Sequence, residues 1–182
     1  MIETLKTACI EVRKRVKDLI GTAEGNTKMG LGAGGDISRK IDIIAEEKVI
    51  ETIKQSGTNP TIIGEECGTL KGNDSGFIIM DAIDGTTNVT RSIPFNCCSL
   101  AYATEPKLTS VVDAAIIDFA TGDLYYASID KGAFLNGNKI SVRKSENIKE
   151  DEIIAGVNIS GISQELLHSI GAIFTKLNHI RV

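Results

Sequence analysis

The segment Gly76–Asn88 joins a short apolar run to a pair of aspartates and a small polar turn. Residues 76–80 predict a buried strand that is apolar on both faces, and ligands of open α/β sheets gather at the carboxyl ends of such strands. Asp81 is predicted to stand at that end, with Asp84 shortly after it. Carboxylate and carbonyl oxygens are the donors that hard cations prefer. The segment therefore predicts oxygen ligands beside the start of a following helix.

The Asp-Gly turn also has a simpler explanation. Asp84 would then be the N-cap of a helix, and the acidic pair would be a polar connection without chemistry. Two other segments favour the functional interpretation. Thr61–Glu66 is a second short apolar strand that ends in paired carboxylates, and Asp36–Asp42 precedes an amphipathic helix. Each would be a solvated strand end or a helix-terminal charge if it stood alone. Together the three acidic ends predict one cation cluster.

In this order and spacing, the three segments resemble the inositol monophosphatase family and its archaeal fructose-1,6-bisphosphatase relatives. The resemblance is carried by Asp36–Asp42, Gly64–Glu66 and Asp81–Asn88, is supported by Arg91–Phe95, and extends over essentially all 182 residues. One departure is Ala82, where the family usually has proline. This change should affect rigidity rather than ligation, because neither residue has a side-chain ligand.

The resemblance implies Mg²⁺ as the cofactor, with two or three ions. Glu65, Asp81 and the Ile83 carbonyl match the ligands of a first ion, and Asp81 and Asp84 match those of a second. Carboxylates this close would raise one another's pKa values unless cations neutralise them, so the chemistry agrees with the assignment. The segment Gly30–Gly35 lacks the ending of a P-loop and is interpreted as a flexible flap. The resemblance implies that this loop approaches the site and helps to admit a further ion.

The resemblance also implies the catalytic parts of a phosphatase. Asp42 and Thr86 match the pair that orients and deprotonates the attacking water, and Glu66 supports them. Gly85 and Thr86 match the residues whose backbone N–H groups hold the phosphate, with Asp84 beside them in the substrate site. Two ions can activate the water and stabilise the leaving alkoxide, so no side-chain nucleophile is needed.

Helical periodicity predicts two amphipathic helices, one before the acidic motifs and one between the first and the second of them. Apolar residues recur at helical spacing over Ile2–Leu19, with Gly21 as the stop, and over Ile41–Ile53, ending before Gly57. Both apolar stripes are assigned to the core. The charged run Glu46–Lys48 in the second helix is interpreted as a solvated face.

From Asn96 onward, alternating patterns and turn residues predict an antiparallel meander. Its predicted strands are Asn96–Thr104, Thr109–Asp118, Asp123–Ile129 and, after a turn at Asn136–Asn138, Lys139–Val142. A strand over Glu152–Val157 and a helix over Ser163–Leu177 are predicted to begin a second layer.

These elements predict an α/β fold of the layered α+β kind, in which helix and sheet layers alternate. The resemblance implies the αβαβα sandwich of sugar phosphatases, with the second α/β half incomplete. Residues 1–145 would be an N-terminal α+β region that carries most of the metal site, and residues 146–182 the truncated beginning of the C-terminal region.

Composition limits the classes of partner and the cellular compartment that are expected for this protein. The net charge of −4 and the pI near 5.3, without a basic stripe, argue against nucleic acid. No apolar window approaches the roughly 18 residues that span a membrane, so no membrane partner is expected and the cytoplasm is the expected compartment. His168 and His179 are assigned surface or packing roles, and zinc is not expected. The cysteines are interpreted as small buried hydrophobes: Cys9, Cys67, Cys97 and Cys98.

The resemblance implies a Mg²⁺-dependent phosphomonoesterase that hydrolyses small polyol or sugar phosphates, such as inositol-1-phosphate or fructose-1,6-bisphosphate, and that is a homodimer when complete. The alternatives are a 3'-phosphoadenosine phosphate nucleotidase of the same superfamily and a catalytically incomplete module that binds metal or phosphate. The family's later Trp-Asp-x-Ala-Ala motif completes the second metal site and has no match here. The chain is therefore expected to be an amino-terminal portion with little activity alone.

Overall fold

The computed structural model of the chain describes residues 1–142, 154–156, 161–174 and 179–181. They belong to two units, Met1–Ile140 and Ser141–Val182. In chain order, the first unit contains α1 (Ile2–Val16), β1 (Lys28–Leu31), β2 (Ile37–Arg39), α2 (Lys40–Gln55), β3 (Thr61–Gly64), β4 (Gly68–Leu70), β5 (Phe77–Asp84), α3 (Thr86–Thr90), β6 (Cys97–Ala103), a 3₁₀ turn (Leu108–Ser110), β7 (Val111–Asp118), β8 (Leu124–Ser128), β9 (Gly132–Leu135) and β10 (Asn138–Ile140).

The second unit contains β11 (Ile154–Gly156), α4 (Gln164–Phe174) and β12 (His179–Arg181), with β11 and β12 paired in parallel. This strand–helix–strand arrangement agrees with the predicted strand and helix over the described residues. The outer residues of both predictions, including 175–177, lie outside the described part of the chain. His168 is exposed on α4, as a surface role requires.

Both amphipathic helices of the first unit form where the periodicity predicts them. In each, apolar residues three or four positions apart have no exposed surface, which is the pattern of a helix with one face on a core. These residues are Leu5, Cys9, Val12 and Val16 of α1 and Ile41, Ala45, Val49 and Ile53 of α2. Helix α1 ends at Val16, earlier than predicted. Gly21 and Gly57, at φ +70° and +78°, occupy left-handed turns after the two helices.

The main sheet has eight strands in the order β10-β9-β8-β7-β6-β5-β3-β4. Strand β5 lies in its interior, parallel to β3 and antiparallel to β6. Helix α1 packs on α2 and on β6, β7 and β8, while α2 packs on β5. A helix layer thus covers one face of a mixed sheet, and this layering confirms the predicted α+β class.

Two details of β5 differ from the prediction. The strand continues to Asp84, so Asp81 lies within it rather than at its end. Its faces also differ in burial: Ile78 and Met80 are buried, whereas Ile79 is 40% exposed. The apolar side chains of the run therefore do not all lie in the interior, because the helices cover only one face.

Several short strands were not predicted. Strand β9 pairs with both β8 and β10, and β4 pairs with the edge of β3. The glycine-rich segment predicted as a flap belongs to the antiparallel hairpin of β1 and β2, in which Gly32–Gly35 lies in the connecting turn. No helix in the described part of the chain is both long and apolar enough to cross a bilayer.

Candidate active site

A cavity of about 10 Å³ at the ends of α2, β3 and β5 brings together most of the predicted site residues. Side chains from motifs that are far apart in sequence therefore share one small space. The predicted residues that line it are Asp42, Glu65, Glu66, Asp81, Ile83 and Thr86. Asp84 and Gly85 do not line this cavity. Asp84 is exposed next to it, and Gly85 is half-buried.

An irregularity in β5 puts Asp81 and Asp84 on the same face of the sheet. Asp81 pairs with Ser99 of β6, whereas Asp84 pairs with Cys97, so three steps along β5 match two along β6. In a regular strand, residues three apart point to opposite faces. The extra residue of this bulge restores the shared face, because cross-strand partners lie on one side and Ser99 and Cys97 are two apart. The sequence spacing alone did not indicate this.

Asp42 and Thr86 are hydrogen-bonded to each other. The Thr86 hydroxyl lies 3.2 Å from Asp42 Oδ1 and 3.2 Å from the Ile83 carbonyl oxygen, to either of which it can donate. Asp42 Oδ2 accepts a 2.7 Å hydrogen bond from the backbone N–H of Arg39. Asp42 is 4% exposed, so the pair is held in a fixed arrangement at the start of α2.

Three carboxyl groups of the cluster, those of Asp42, Asp81 and Glu65, have raised pKa values. Burial raises the pKa of Asp42 from 3.8 to about 6, against the lowering effect of its hydrogen bonds to Arg39 and Thr86. Burial, then the neighbouring Asp84 and Glu65, raises the pKa of Asp81 to about 6. Burial and then Glu66 raise the pKa of Glu65. These shifts show that negative charge in the cluster is not compensated by the protein itself.

Glu46 was predicted to lie on a solvated face, and this prediction is wrong. Its side chain is 3% exposed, and its two carboxylate oxygens accept hydrogen bonds from the backbone N–H groups of Glu66 (2.9 Å) and Cys67 (2.8 Å). Asp42 and Glu46 are four residues apart, so they lie on the same face of α2. This four-residue spacing could have indicated that Glu46 faces the site, but the neighbouring Glu47 and Lys48 suggested a solvent-exposed face.

The acidic pair Glu65-Glu66 is also tied to the β1–β2 hairpin. The backbone N–H groups of Ala33 and Gly34 donate to the carbonyl oxygens of Glu66 (3.2 Å) and Glu65 (2.8 Å), and the Ser38 hydroxyl donates to Glu66 Oε2. The hairpin turn therefore lies against the acidic pair, and Ser38 was not identified from the sequence.

The turn after β5 differs from the simpler N-cap explanation. Gly85, not Asp84, is the N-cap of α3, and no side chain caps this helix. Gly85 has φ +87°, a left-handed conformation that glycine adopts without strain. A side chain at Gly85 would also press on the Phe95 carbonyl oxygen, 3.0 Å from the Cβ position. The turn thus requires glycine and leaves Asp84 free of a capping role.

The cysteines divide into two pairs. Cys9 and Cys98 are buried, as predicted, but Cys67 and Cys97 are only half-buried, because they lie beside the acidic cluster. Burial raises the pKa of each half-buried thiol to about 12, and Glu46 and Asp84 respectively add to the effect. Both remain protonated at neutral pH, so neither is an activated nucleophile.

A larger cavity of about 500 Å³ opens beside the small one. The two share Asp42, Glu65, Glu66 and Thr86 in their linings. The remaining wall is supplied largely by residues that the motif analysis did not assign: Asn26, Asp36, Ile37, Arg39, Thr87, Thr90 and Arg91. Arg39 precedes Asp42 by three residues, and Arg91 directly follows α3. Arg39 lies within the segment Asp36–Asp42 and Arg91 begins the segment Arg91–Phe95, but the sequence analysis gave neither arginine a role.

The donor set fits a hard divalent cation by its chemistry. It consists of carboxylates and one carbonyl oxygen, and the raised pKa values of Asp81 and Glu65 mark charge that a cation would neutralise. Among the residues described, however, no three or more His, Cys, Asp or Glu side chains are already arranged to hold an ion. The carboxylates lie near one another, but their side chains would have to move before three of them could bind the same ion.

The mixed sheet is covered by helices on one face, and it carries a hydrogen-bonded Asp–Thr pair beside an acidic cluster. This combination defines the class: a layered α/β protein of the sugar-phosphatase kind. Residues 1–177 match the Inositol monophosphatase family, and the chain belongs to that family. This confirms the resemblance.

The relatives agree with this assignment. The chain is 33% identical over 178 residues to the fructose-1,6-bisphosphatase/inositol-1-monophosphatase of Methanothermobacter thermautotrophicus, covering 92% of this chain and 63% of that protein. It is 32% identical to the bifunctional NADP phosphatase/NAD kinase of Methanocaldococcus jannaschii, covering 86% of this chain and 32% of that protein. The chain thus spans less than two thirds of the length of these relatives.

Solved structures agree on the fold. An inositol monophosphatase–fructose 1,6-bisphosphatase superposes with a TM-score of 0.79 at 24% identity, covering 99% of this chain and 66% of that one. The extragenic suppressor protein suhB from Bartonella henselae gives a TM-score of 0.81 at 23% identity, covering 98% and 68%. At these identities the similarity supports the architecture, and function must be argued from the site.

Proposed function

We propose that this chain carries the water-activating and main metal-binding half of a Mg²⁺-dependent phosphomonoesterase that acts on small polyol or sugar phosphates. The observation that carries the proposal is the pair of the buried Asp42 and the half-buried Thr86, hydrogen-bonded at 3.2 Å in a cavity that Glu65 and Asp81 also line. Membership of the inositol monophosphatase family and the names of the archaeal relatives support the same reaction class.

In the proposed site, Glu65, Asp81 and the Ile83 carbonyl would hold one Mg²⁺, and Asp81 with Asp84 would hold another. Bound Mg²⁺ would supply positive charge that polarises the phosphate ester and makes a water molecule more acidic. The bulge that turns Asp81 and Asp84 to one face favours Asp81 as a ligand common to both ions.

Side chains of this protein would orient the attacking water and accept its proton. Thr86 would orient the attacking water while its hydroxyl donates to Asp42 Oδ1, and Asp42 would accept the proton. A pKa of about 6 in the metal-free chain places Asp42 in the range where a carboxylate can act as a base near neutral pH. The backbone N–H groups of Gly85 and Thr86, at the start of α3, would bind the phosphate oxygens.

The test compares the purified chain with Asp84→Asn. Phosphate release from inositol-1-phosphate and fructose-1,6-bisphosphate is measured with Mg²⁺ and with EDTA, and Mg²⁺-dependent binding of inorganic phosphate is measured by calorimetry in parallel. We expect Mg²⁺-dependent phosphate binding that Asp84→Asn removes. If neither turnover nor Mg²⁺-dependent phosphate binding is detected in a folded chain, the proposal is wrong.

A further inference from the structure

Two consecutive residues of β2 each hold one carboxylate of the acidic cluster. The backbone N–H of Arg39 donates to Asp42 Oδ2 at 2.7 Å. The hydroxyl of Ser38 donates to Glu66 Oε2. Asp42 and Glu66 both line the small cavity and the larger one. The end of β2 therefore sets the spacing between the proposed proton acceptor, Asp42, and a second carboxylate beside it.

The contact between Ser38 and Glu66 is enclosed by the hairpin turn. Ser38 is 3% exposed. A Cβ at Gly32 would overlap Glu66 Oε2 and would lie 2.9 Å from Ser38 Oγ, so the turn packs directly on this contact. A hydrogen bond to a carboxylate is stronger than a neutral one, and more so where water is excluded. Glu66 Oε2 therefore has its donor in a fixed place.

The main chain of Glu66 is held without the help of Ser38. Its N–H donates to Glu46 Oε1 at 2.9 Å, and its carbonyl oxygen accepts from the N–H of Ala33 at 3.2 Å. These two bonds already attach Glu66 to α2 and to the hairpin. The Ser38 hydroxyl adds a different constraint, because it fixes the direction of the Glu66 side chain.

The other oxygen of this carboxylate, Glu66 Oε1, accepts no hydrogen bond within the part of the chain that the structure describes. It is thus the oxygen that remains for a molecule in the cavities shared with Asp42 and Thr86. In the proposed reaction, the attacking water gives one proton to Asp42 as its oxygen bonds to phosphorus. Its second O–H stays intact and needs an acceptor if the water is to be held in one orientation.

From this arrangement we infer that Ser38 is a positioning residue. It binds Glu66 Oε2, so that Glu66 Oε1 accepts the second O–H of the attacking water while Asp42 takes the proton. Ser38 touches neither the water nor the phosphate and acts only through Glu66. The inference rests on the proposed function and adds a residue that orients the reacting water in the same site.

The experiment compares inorganic phosphate with orthovanadate, using calorimetry on the 182-residue chain with excess Mg²⁺. Vanadium accepts a fifth oxygen where the attacking water would stand, so vanadate resembles the transition state and phosphate does not. The variants are Ser38→Ala, Ser38→Thr, Glu66→Gln and the double variant Ser38→Ala/Glu66→Gln. Ser128→Ala is the matched control, because the Ser128 hydroxyl also donates to a carboxylate, Asp113 Oδ1, at 2.6 Å.

We expect the unmodified chain to bind vanadate about tenfold more tightly than phosphate, or ~1.4 kcal/mol. Ser38→Ala should remove that preference and leave phosphate affinity unchanged. Glu66→Gln should do the same, because its amide oxygen pairs with Ser38 and its N–H group then faces the water. The double variant should lose no more than either single one. Ser38→Thr, which keeps the hydroxyl, should retain most of the preference, and Ser128→Ala all of it.

Thermal melting shows that each variant is folded, and Ser38→Cys, which keeps the volume but weakens the donor, replaces Ser38→Ala if that variant does not fold. A preference that survives the loss of the Ser38 hydroxyl, or losses that add in the double variant, would overturn the inference. Equal affinities for the two anions in the unmodified chain, or equal weakening of both by Ser38→Ala, would overturn it as well.

Each of these outcomes leaves the proposed function standing, because Mg²⁺-dependent phosphate binding to the unmodified chain is still seen. Failure of both anions to bind in a Mg²⁺-dependent way would overturn the proposed function together with the inference. The two failures are therefore distinguishable.

Discussion

Glu46 Oε1 accepts a 2.9 Å hydrogen bond from the backbone N–H of Glu66, and through it helix α2 holds the loop that carries the acidic pair. The second oxygen of Glu46 binds the next N–H, that of Cys67. The space is tight, since a Cβ at Gly64 would lie 2.5 Å from Glu46 Oε1. Glu46 thus positions Glu65 and Glu66 without being one of the predicted metal ligands.

Glu46→Gln should destabilise the chain by about 1–3 kcal/mol, because the amide that replaces one oxygen cannot accept a hydrogen bond from a backbone N–H. Denaturant unfolding measures the loss, and hydrogen exchange at the amides of Glu66 and Cys67 should speed up locally. Glu47→Gln is the matched control, since Glu47 is exposed on the same helix. Equal effects of the two substitutions would contradict the positioning role.

Asp81→Asn should abolish Mg²⁺-dependent phosphate release in an active form of the protein while leaving the fold intact. The change removes charge that the cations need and alters volume little. Turnover and thermal melting are measured on the same samples, with Asp123→Asn, on the turn before β8, as the control. Retention of more than about a tenth of the activity, a barrier change of only ~1.4 kcal/mol, would argue against a ligand role for Asp81.

Thr86→Val should slow turnover more than it weakens Mg²⁺ binding, because the lost hydroxyl is bonded to Asp42 and neutralises no cation. Thr86→Ser keeps a hydroxyl and should recover much of the rate. Calorimetry gives the metal affinity, and phosphate release at saturating Mg²⁺ gives the rate. Lost affinity with an unchanged rate would show that Thr86 is structural.

Without divalent cations, the buried Asp42 and the half-buried Asp81 should make the chain less stable as the pH rises from about 4 to about 6. Burial raises the pKa of Asp42 and of Asp81 from 3.8 to about 6, so the folded chain binds these protons more tightly than the unfolded chain. Their stabilising contribution is present below about pH 4 and is lost as the pH rises through 6. Melting in EDTA measures this slope, which Asp42→Asn should reduce.

Mg²⁺ should act in the opposite direction, because its ligands must be deprotonated to bind it. The gain in melting temperature on adding Mg²⁺ should therefore be larger near about pH 7.5 than near about pH 5. A gain independent of pH would contradict the assignment of Asp81 to the cation site, and a slope in EDTA that Asp42→Asn leaves unchanged would contradict the raised pKa of Asp42.

The sequence predicted the elements whose signal is repeated along the chain. Helices α1 and α2 follow from several apolar residues at helical spacing, and β6, β7 and β8 from alternation bounded by turns. Strand β9 was missed although the turn after it was recognised, because Gly132–Leu135 is too short to show a period. The hairpin of β1 and β2 was hidden by its glycines, which by composition predict a loop.

The residues that the sequence analysis proposed for the site are those whose type alone indicates chemistry, and their roles stay predictions. Acidic motifs identified Asp42, Glu65 and Asp81, and the structure brings them to one cavity. Glu46 was missed because a single glutamate on a helix is ordinarily solvated. Its burial depends on the tertiary contact of α2 with the loop of Glu66 and Cys67.

The bulge in β5 makes the spacing of Asp81 and Asp84 a matter of chain length rather than of residue identity. Replacing Ala82 changes the packing but keeps both carboxylates facing the same way. Deleting one residue between them would remove the bulge and restore regular pairing with β6, in which residues two apart still face the same side of the sheet. The deletion would therefore keep the shared face but remove the bulged backbone between the two carboxylates, whereas a library that randomises the segment at constant length keeps both.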